Sequence, residues 1–478
     1  MDTAIATVLK DEEKAKKEKW NSRLLTLYML FWSVAFLVAT PIAIEMSGET
    51  GSFLHNLYLI MTSPSKLVTD YFNIGGLGST LLNAALCGLA CNLVMVVSHT
   101  KPTATTLAGY FLITAHCFYG LNFLNMWPPF CGVYVYCKVR KLKFSENVHI
   151  AMFATALAPF ISDFLFRYTI GDDFVFGEVQ ITVLGVILAL LFGLATGFIV
   201  PALLPGTTKM HRAFNLYKAG LAIGILGMFV YAFMYKTLGI EAPDALSRDN
   251  PLYLKNGSSY GDFMTVFFAI VFVLSIVLGF LLNKCSFRGY EKLWKSTGHN
   301  ADFVRSFGTP LCFINVGIYG LCILLYLNFI FLSPIGVGYT GPTAGVTIAA
   351  ITFSASGQTP RNVWPIVFGY SLLNAITFGI CTLTGLPMGW SLATQGYING
   401  LAFATGLCPF AGKYGWKVGT VAGIVNAIIC TSTSALHGGF VLYNGGLTAG
   451  LTALILIPIL DFYEIKEKFT DEDVKEQS

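Results

Sequence analysis

The chain predicts an all-α polytopic membrane protein with about 14 transmembrane segments, built as a 7+7 inverted-topology repeat with broken helices. Three observations carry that expectation. The composition is too apolar for a soluble globule, the sequence is internally duplicated, and basic residues alternate from one inter-span link to the next.

Hydrophobic residues make up 55% of the 478 positions and charged residues only 12%, with a mean hydropathy of +0.65. A soluble globule carries about 25% charged residues, and this chain has half that. Runs such as Val179–Leu204 and Ala435–Leu460 hold almost no charge and exceed the roughly 20 residues that cross a bilayer. The formal net charge of +4 points to no nucleic-acid partner, because the lysines and arginines lie between the spans. Cysteines such as Cys87, Cys91, Cys322, Cys381 and Cys430 sit singly in apolar runs, with no CxxC. They read as small buried hydrophobes, so neither a metal nor a cofactor is expected. At the amino end, DEEKAKKEKW precedes a first span too long for the apolar core of a cleavable signal.

The duplication is clearest in GQTPRNVWPIVFG, Gly357 to Gly369, which echoes GLNFLNMWPPFCG, Gly120 to Gly132. Gly120, Asn125, Trp127, Pro128 and Gly132 match Gly357, Asn362, Trp364, Pro365 and Gly369 at one offset, 237. Upstream, Asp70, Gly76, Asn83 and Gly88 match Asp302, Gly308, Asn315 and Gly320, and Pro102-Thr103-Ala104 reads onto Pro342-Thr343-Ala344. Downstream, FATALAPF from Phe153 matches FATGLCPF from Phe403, and HRAFNLYKAGLAIG from His211 matches HGGFVLYNGGLTAG from His437. Order is kept throughout, as a repeated structural unit requires.

In chain order, a charged tail, Met1 to Arg23, leads into span one, Leu24–Ile44. A link over Ser47–Gly76 follows, then spans at Leu77–Ser98, Thr103–Leu121, Phe123–Cys137, His149–Phe166, Val179–Leu204 and Ala213–Tyr235. A polar link, Lys236–Asp262, joins the halves. The second unit places spans at Phe263–Asn283, Pro310–Leu332, Thr343–Ser356, Val363–Thr384, Ser391–Ala411, Trp416–Thr431 and Ala435–Leu460, before a polar tail, Asp461–Ser478.

Short cytosolic links concentrate lysine and arginine. With the amino terminus inside, the inner links hold Lys101, Lys138–Lys143, Lys209, Arg212, Lys284–Lys295, Arg305, Arg361, Lys413 and Lys417. The outer links hold few, such as Lys66, Arg248 and Lys255, together with Asp172, Asp173 and Glu178. Seven is odd, so the second unit enters with opposite orientation. Both termini are then cytoplasmic, and an inverted repeat of this kind is the usual frame of a secondary transporter in the cell membrane.

Proline and glycine interrupt helices, and in hydrocarbon the freed backbone groups must meet protein or cavity water. The polar residues around these interruptions are therefore the candidate solute-binding set. In the first unit they are Thr105, Thr106, Thr114, His116, Asn122 and Asn125. In the second they are Thr347, Thr352, Ser354, Ser356, Gln358, Thr359 and Asn362, with His437 and Asn444 inside the last predicted span. Trp127 and Trp364 are expected to brace the route. The alternative is that the hydroxyls bond back to the preceding turn of plain packed helices. His211 and His437 are possible proton carriers, with His437 the better placed. Lys218, at the position equivalent to Asn444, is the one lysine near mid-helix. Apart from Asp163, no carboxylate lies well inside a predicted span, which favours a neutral or weakly charged solute. GVGYTG, Gly336 to Gly341, resembles a dinucleotide fingerprint but follows an apolar span with no βαβ unit, and it is set aside.

In FATGLCPF and HGGFVLYNGGLTAGL the chain resembles a bacterial membrane-protein family known as domain of unknown function 1576. That resemblance implies an internally duplicated polytopic protein and no particular activity. LYNGG-L is also similar to YN-containing segments of urea channels, and the span count is similar to that of nucleobase and anion transporters. The expected function is a membrane transporter or facilitator for a small polar or weakly charged solute, with the site between the repeats near the midplane. A channel of the urea-channel type is the nearest alternative, and a membrane-embedded enzyme or a sensor/scaffold the alternative from another class. No catalytic constellation is visible, so no enzyme is expected. The lipid bilayer is the expected partner, with a homo-oligomer open.

Overall fold

The computed structural model describes residues 2–167, 181–242, 250–332 and 336–470. Asp172, Asp173, Glu178 and Arg248 lie outside the described residues. The protein is all-helical and membrane-spanning. In the first unit the helices are α1 Asp2–Ser47, α2 Phe53–Met61, α3 Tyr71–Val97, α4 Ala104–His116 and α5 Trp127–Val139. They continue with α6 Phe144–Ala154, α7 Ala158–Arg167, α8 Val183–Met210 and α9 Lys218–Tyr231. The second unit repeats the plan with α10 Pro251–Leu282, α11 Tyr290–Lys295, α12 Phe303–Phe307, α13 Thr309–Ile330 and α14 Gly341–Ala350. It closes with α15 Pro360–Thr384, α16 Gln395–Ala404, α17 Cys408–Tyr414, α18 Trp416–Ile429 and α19 Asn444–Phe462.

Among the described residues nine helical stretches are long and apolar enough to cross a membrane. The other five predicted spans fall on shorter pieces: α4, α5, α14, the α16–α17 run and α18. The charged tail and span one form a single helix, α1, and the predicted link Lys236–Asp262 is already helical from Pro251. Burial sorts the spans by position. The most apolar window of Phe144–Phe166 is 89% buried, against 28% in α10 and 17% in α15. The outer helices thus expose Leu383, Phe378, Val266 and Ile270, a surface suited to lipid tails rather than water.

Backbones approach closely where side chains vanish. A Cβ on Gly132 of α5 would stand 1.9 Å from the Gly193 carbonyl oxygen of α8, and one on Gly369 of α15 2.4 Å from Thr420 O of α18. The same small-residue joint therefore recurs inside each unit, as close helix packing in lipid favours.

Equivalent residues do equivalent work. Gly76 breaks α3 with φ 83°, and Gly308 separates α12 from α13 with φ 90°. Asn83 Nδ2 donates to Cys117 O and Leu121 O, both at 2.9 Å. Asn315 Nδ2 donates to Ser354 O at 2.7 Å and Gln358 O at 2.8 Å, which are the same two carbonyls moved by the 237 offset. Gly120 and Gly357 adopt φ of 152° and 150°. The threonine match needs a correction. The cap of α4 is Thr103 and that of α14 is Thr340, each accepting from the backbone N–H three residues on. The 237 offset therefore starts at Thr103–Thr340, and the Pro-Thr-Ala likeness is one turn out of register.

The units also exchange contacts. Leu442 N donates to Ala156 O and Leu216 N to Gly406 O, both at 2.9 Å, although each pair joins one unit to the other. Tyr28 of α1 bonds Ser275 of α10 at 2.7 Å, while Phe36 stacks on Phe267 at 5.4 Å. At the crossing of α9 and α19, Gly220 lies against Gly446, its own counterpart. Reciprocal contacts of this kind are the mark of an isologous, two-fold joint.

Helix α1 touches both breaks. Where its apolar part begins, Asn21 Oδ1 accepts from Thr309 N at 3.2 Å, just past Gly308. Beyond its far end, the buried Glu49 carboxylate accepts from Gly78 N at 2.9 Å and Ser79 N at 3.1 Å, just past Gly76. The helix between them is roughly 40 Å long at 1.5 Å per residue. At the Asn21 end Arg212 pairs with Asp461 at 2.7 Å and bonds His299 through its carbonyl. At the Glu49 end Asn256 reaches Ser47 O and Asn250 meets Asn73.

Candidate functional site: two related cavities

Two cavities lie on either side of the α9–α19 crossing. The first, about 100 Å³, is lined by Thr105, Leu216, Lys218, Asn300, Ser356 and Phe353. The second, about 140 Å³, is lined by Leu67, Tyr119, Asn399, Phe403, Leu442 and Asn444. Leu216 and Leu442, Lys218 and Asn444, and Ser356 and Tyr119 are repeat partners, so the two cavities are copies of one another. The first lies against Asn300 and Ala301 and the second against Leu67 and Val68.

Rings separate them. Tyr217 meets Phe353 edge-on at 4.7 Å, and its counterpart Tyr443 lies 5.1 Å from the His116 ring. Tyr217 also packs on Phe403 at 5.0 Å. His116 is buried in this partition, its Nε2 3.1 Å from Leu442 O and its Nδ1 facing Leu112 O.

The sequence-predicted residues divide into three groups. Thr105 and Ser356 line the first cavity and Asn444 the second, with His437 Nε2 3.0 Å from Asn444 Oδ1. Thr114, Thr347, Thr352 and Ser354 are buried, and their hydroxyls donate to carbonyls of their own preceding turn. Asn125, Gln358 and Asn362 hold the unwound elbows. Asn125 Nδ2 donates to Gly120 O at 3.1 Å and Asn362 Nδ2 to Gly357 O at 2.8 Å, while Gln358 Nε2 donates to Thr405 Oγ1 at 2.7 Å. Asn122 and Thr359, one at each elbow, make reciprocal bonds with those asparagines. Trp127 packs on Phe123, whereas Trp364 is 48% exposed and stacks on Trp416 at the periphery.

Sequence reasoning passed over two pairs. Glu49 and Asp70 sit in what reads as a link, yet both carboxylates are hydrogen-bonded to helix starts. Asp70 Oδ1 accepts from Gly341 N at 3.0 Å, so the first unit caps α14 of the second. Asn83 and Asn315 are visible as a repeat match, and that match is the signal that would have marked them.

Comparison with known families gives a match to a model described as "Protein of unknown function (DUF1576)", over residues 49–236 and 282–462. The two matched blocks follow the duplication. No curated protein and no solved structure matches the chain.

Proposed function

The chain belongs to the DUF1576 family of proteins of unknown function, and from that premise we propose that it is a transporter or facilitator for a small polar solute. The observation that carries this reading is the pair of repeat-related cavities separated by the Tyr217–Phe353 and Tyr443–His116 partition. A solute site shared between two copies of one unit is what alternating access needs, since exchanging the copies' conformations exchanges the open side. The reading includes opposite insertion of the two units. It is supported by the contacts to equivalent breaks made at the two ends of α1's apolar stretch, by Asn21 and by Glu49 just beyond the helix. It further takes both termini as cytoplasmic, the cell membrane as the location and the protein as no enzyme. Reconstitution into liposomes tests it: small polar solutes should enter faster than through protein-free vesicles. Unchanged flux across such a panel sinks the reading.

Topology has its own expected result. In a cysteine-depleted background, Asn147→Cys should react with an impermeant maleimide only from the cytoplasmic side, and Ser258→Cys only from the other. Labelling of both from one side would show that the number of crossings between them is even.

A further inference from the structure

Resting on the transport reading, we infer that the solute is a small anion and that Lys218 receives its charge in the first cavity. Lys218 is the first residue of α9 and not, as expected from the sequence, near mid-helix, because residues 214–217 are not helical; it lines that cavity, half-buried. No carboxylate lies within ion-pair distance of it among the described residues. Its place is electrostatically unfavourable, because a helix start is already positive and the surroundings are largely apolar. A cation kept there needs a negative partner that the described residues do not supply.

The mouth agrees. A further cavity of about 460 Å³ shares Thr105 with the first and is lined by His99, Lys101, Thr103, Lys143, Glu146 and His149. Glu146 pairs with Lys143 at 3.5 Å, which leaves the Lys101 ammonium as the uncompensated charge of this lining. A basic approach of this kind concentrates anions and raises their capture rate.

The repeat itself shows what chemistry the seat takes. In the second unit the first N–H of the half-helix α14, on Gly341, gives its hydrogen to the Asp70 carboxylate. Its counterpart in the first unit is the N–H of Ala104, at the start of α4, beside Thr105 and the two cavities. Asp302, the counterpart of Asp70, bonds instead to Arg305 N at 3.0 Å. The carboxylate present at one half-helix is thus missing from the other, at the end where the unpaired lysine stands. In the second cavity Asn444 replaces Lys218 and is already bonded to His437, so the charge preference belongs to one side.

The test uses purified full-length protein and pairs of probes that differ in charge alone. Lactate and malate are compared with lactamide and malamide, and inorganic phosphate is added as a third anion, with binding read from thermal shift. The acids or phosphate should bind and the amides should not, and Lys218→Asn, which copies Asn444, should weaken anion binding on the order of tenfold. Lys218→Arg should keep it. Equal binding of acid and amide, no binding of any anion, or unchanged binding in Lys218→Asn would each overturn the inference. If Lys218→Asn does not fold, Lys218→Gln replaces it, and the acid-against-amide comparison on the unaltered protein still decides. Flux is measured separately in proteoliposomes. Anions that bind but do not cross would remove the transport reading and leave the anion site standing.

Discussion

Gly132→Leu should abolish the folded protein. At Gly132 a first side-chain atom would already lie 1.9 Å from Gly193 O and 2.7 Å from its carbonyl carbon. From the other side, a Cβ on Gly197 would meet Gly132 C at 2.1 Å. These neighbours are backbone, so no flexible side chain can swing away, and α5 must separate from α8. Overpacking in a close-packed core costs about 1–3 kcal/mol and sometimes more, and this site belongs at the upper end. Lipid offers no hydrophobic force to push the helices back together, because tails solvate the parted faces equally well. Size-exclusion profiles in mild detergent should show loss of the monodisperse peak. Gly206→Ala, which meets nothing within 4 Å, serves as the control. A normal peak from Gly132→Leu would show that the joint tolerates an opening the geometry forbids.

Asn315→Ala has the second large effect expected. Its amide satisfies Ser354 O and Gln358 O, two carbonyls that the unwinding after α14 leaves without helical partners. Each buried carbonyl stripped of its donor costs about 1–3 kcal/mol, so the loss should be about 2–6 kcal/mol for the two, read as a lowered unfolding temperature. Asn83→Ala should behave alike, since Asn83 serves Cys117 O and Leu121 O and also accepts from Phe123 N. Asn315→Asp should be worse than alanine, because a carboxylate facing two carbonyls repels both. Were Asn315→Ala to melt with the unaltered protein, water would have to be filling the seat.

Much of this architecture is legible in the residues. The Gly120/Gly357 and Asn125/Asn362 matches mark the elbows correctly, because a left-handed glycine and an asparagine that closes its own turn depend on local chemistry alone. What is not legible is long-range. Asn83 and Asn315 match in sequence, but nothing in a repeat says that their amides reach carbonyls 34 to 43 residues away. Glu49 reads as part of a link because its partners Gly78 and Ser79 lie past α2 and across the Gly76 break. Small hydroxyls mislead in the other direction. Thr114 and Ser354 suggest a polar lining, yet helical geometry lets such groups bond their own preceding turn, and here they do. The Pro-Thr-Ala likeness misled because a one-turn slip keeps a helix's face while moving its cap.

The exchanged hydrogen bonds from Leu216 to Gly406 and from Leu442 to Ala156 run from main chain to main chain, and so carry no side-chain identity. The bonds themselves need no particular side chain, short of proline at a donor, although Gly406 is fixed for a separate reason: a Cβ there would stand 2.4 Å from the Tyr217 ring. Once two fused copies are held by such a seam, their side chains are free to drift apart without loosening it. That freedom is visible where His116 faces Phe353 across the duplication, and Lys218 faces Asn444. The seam lets one duplicated unit acquire two unlike sides inside an arrangement whose backbone contacts remain symmetric.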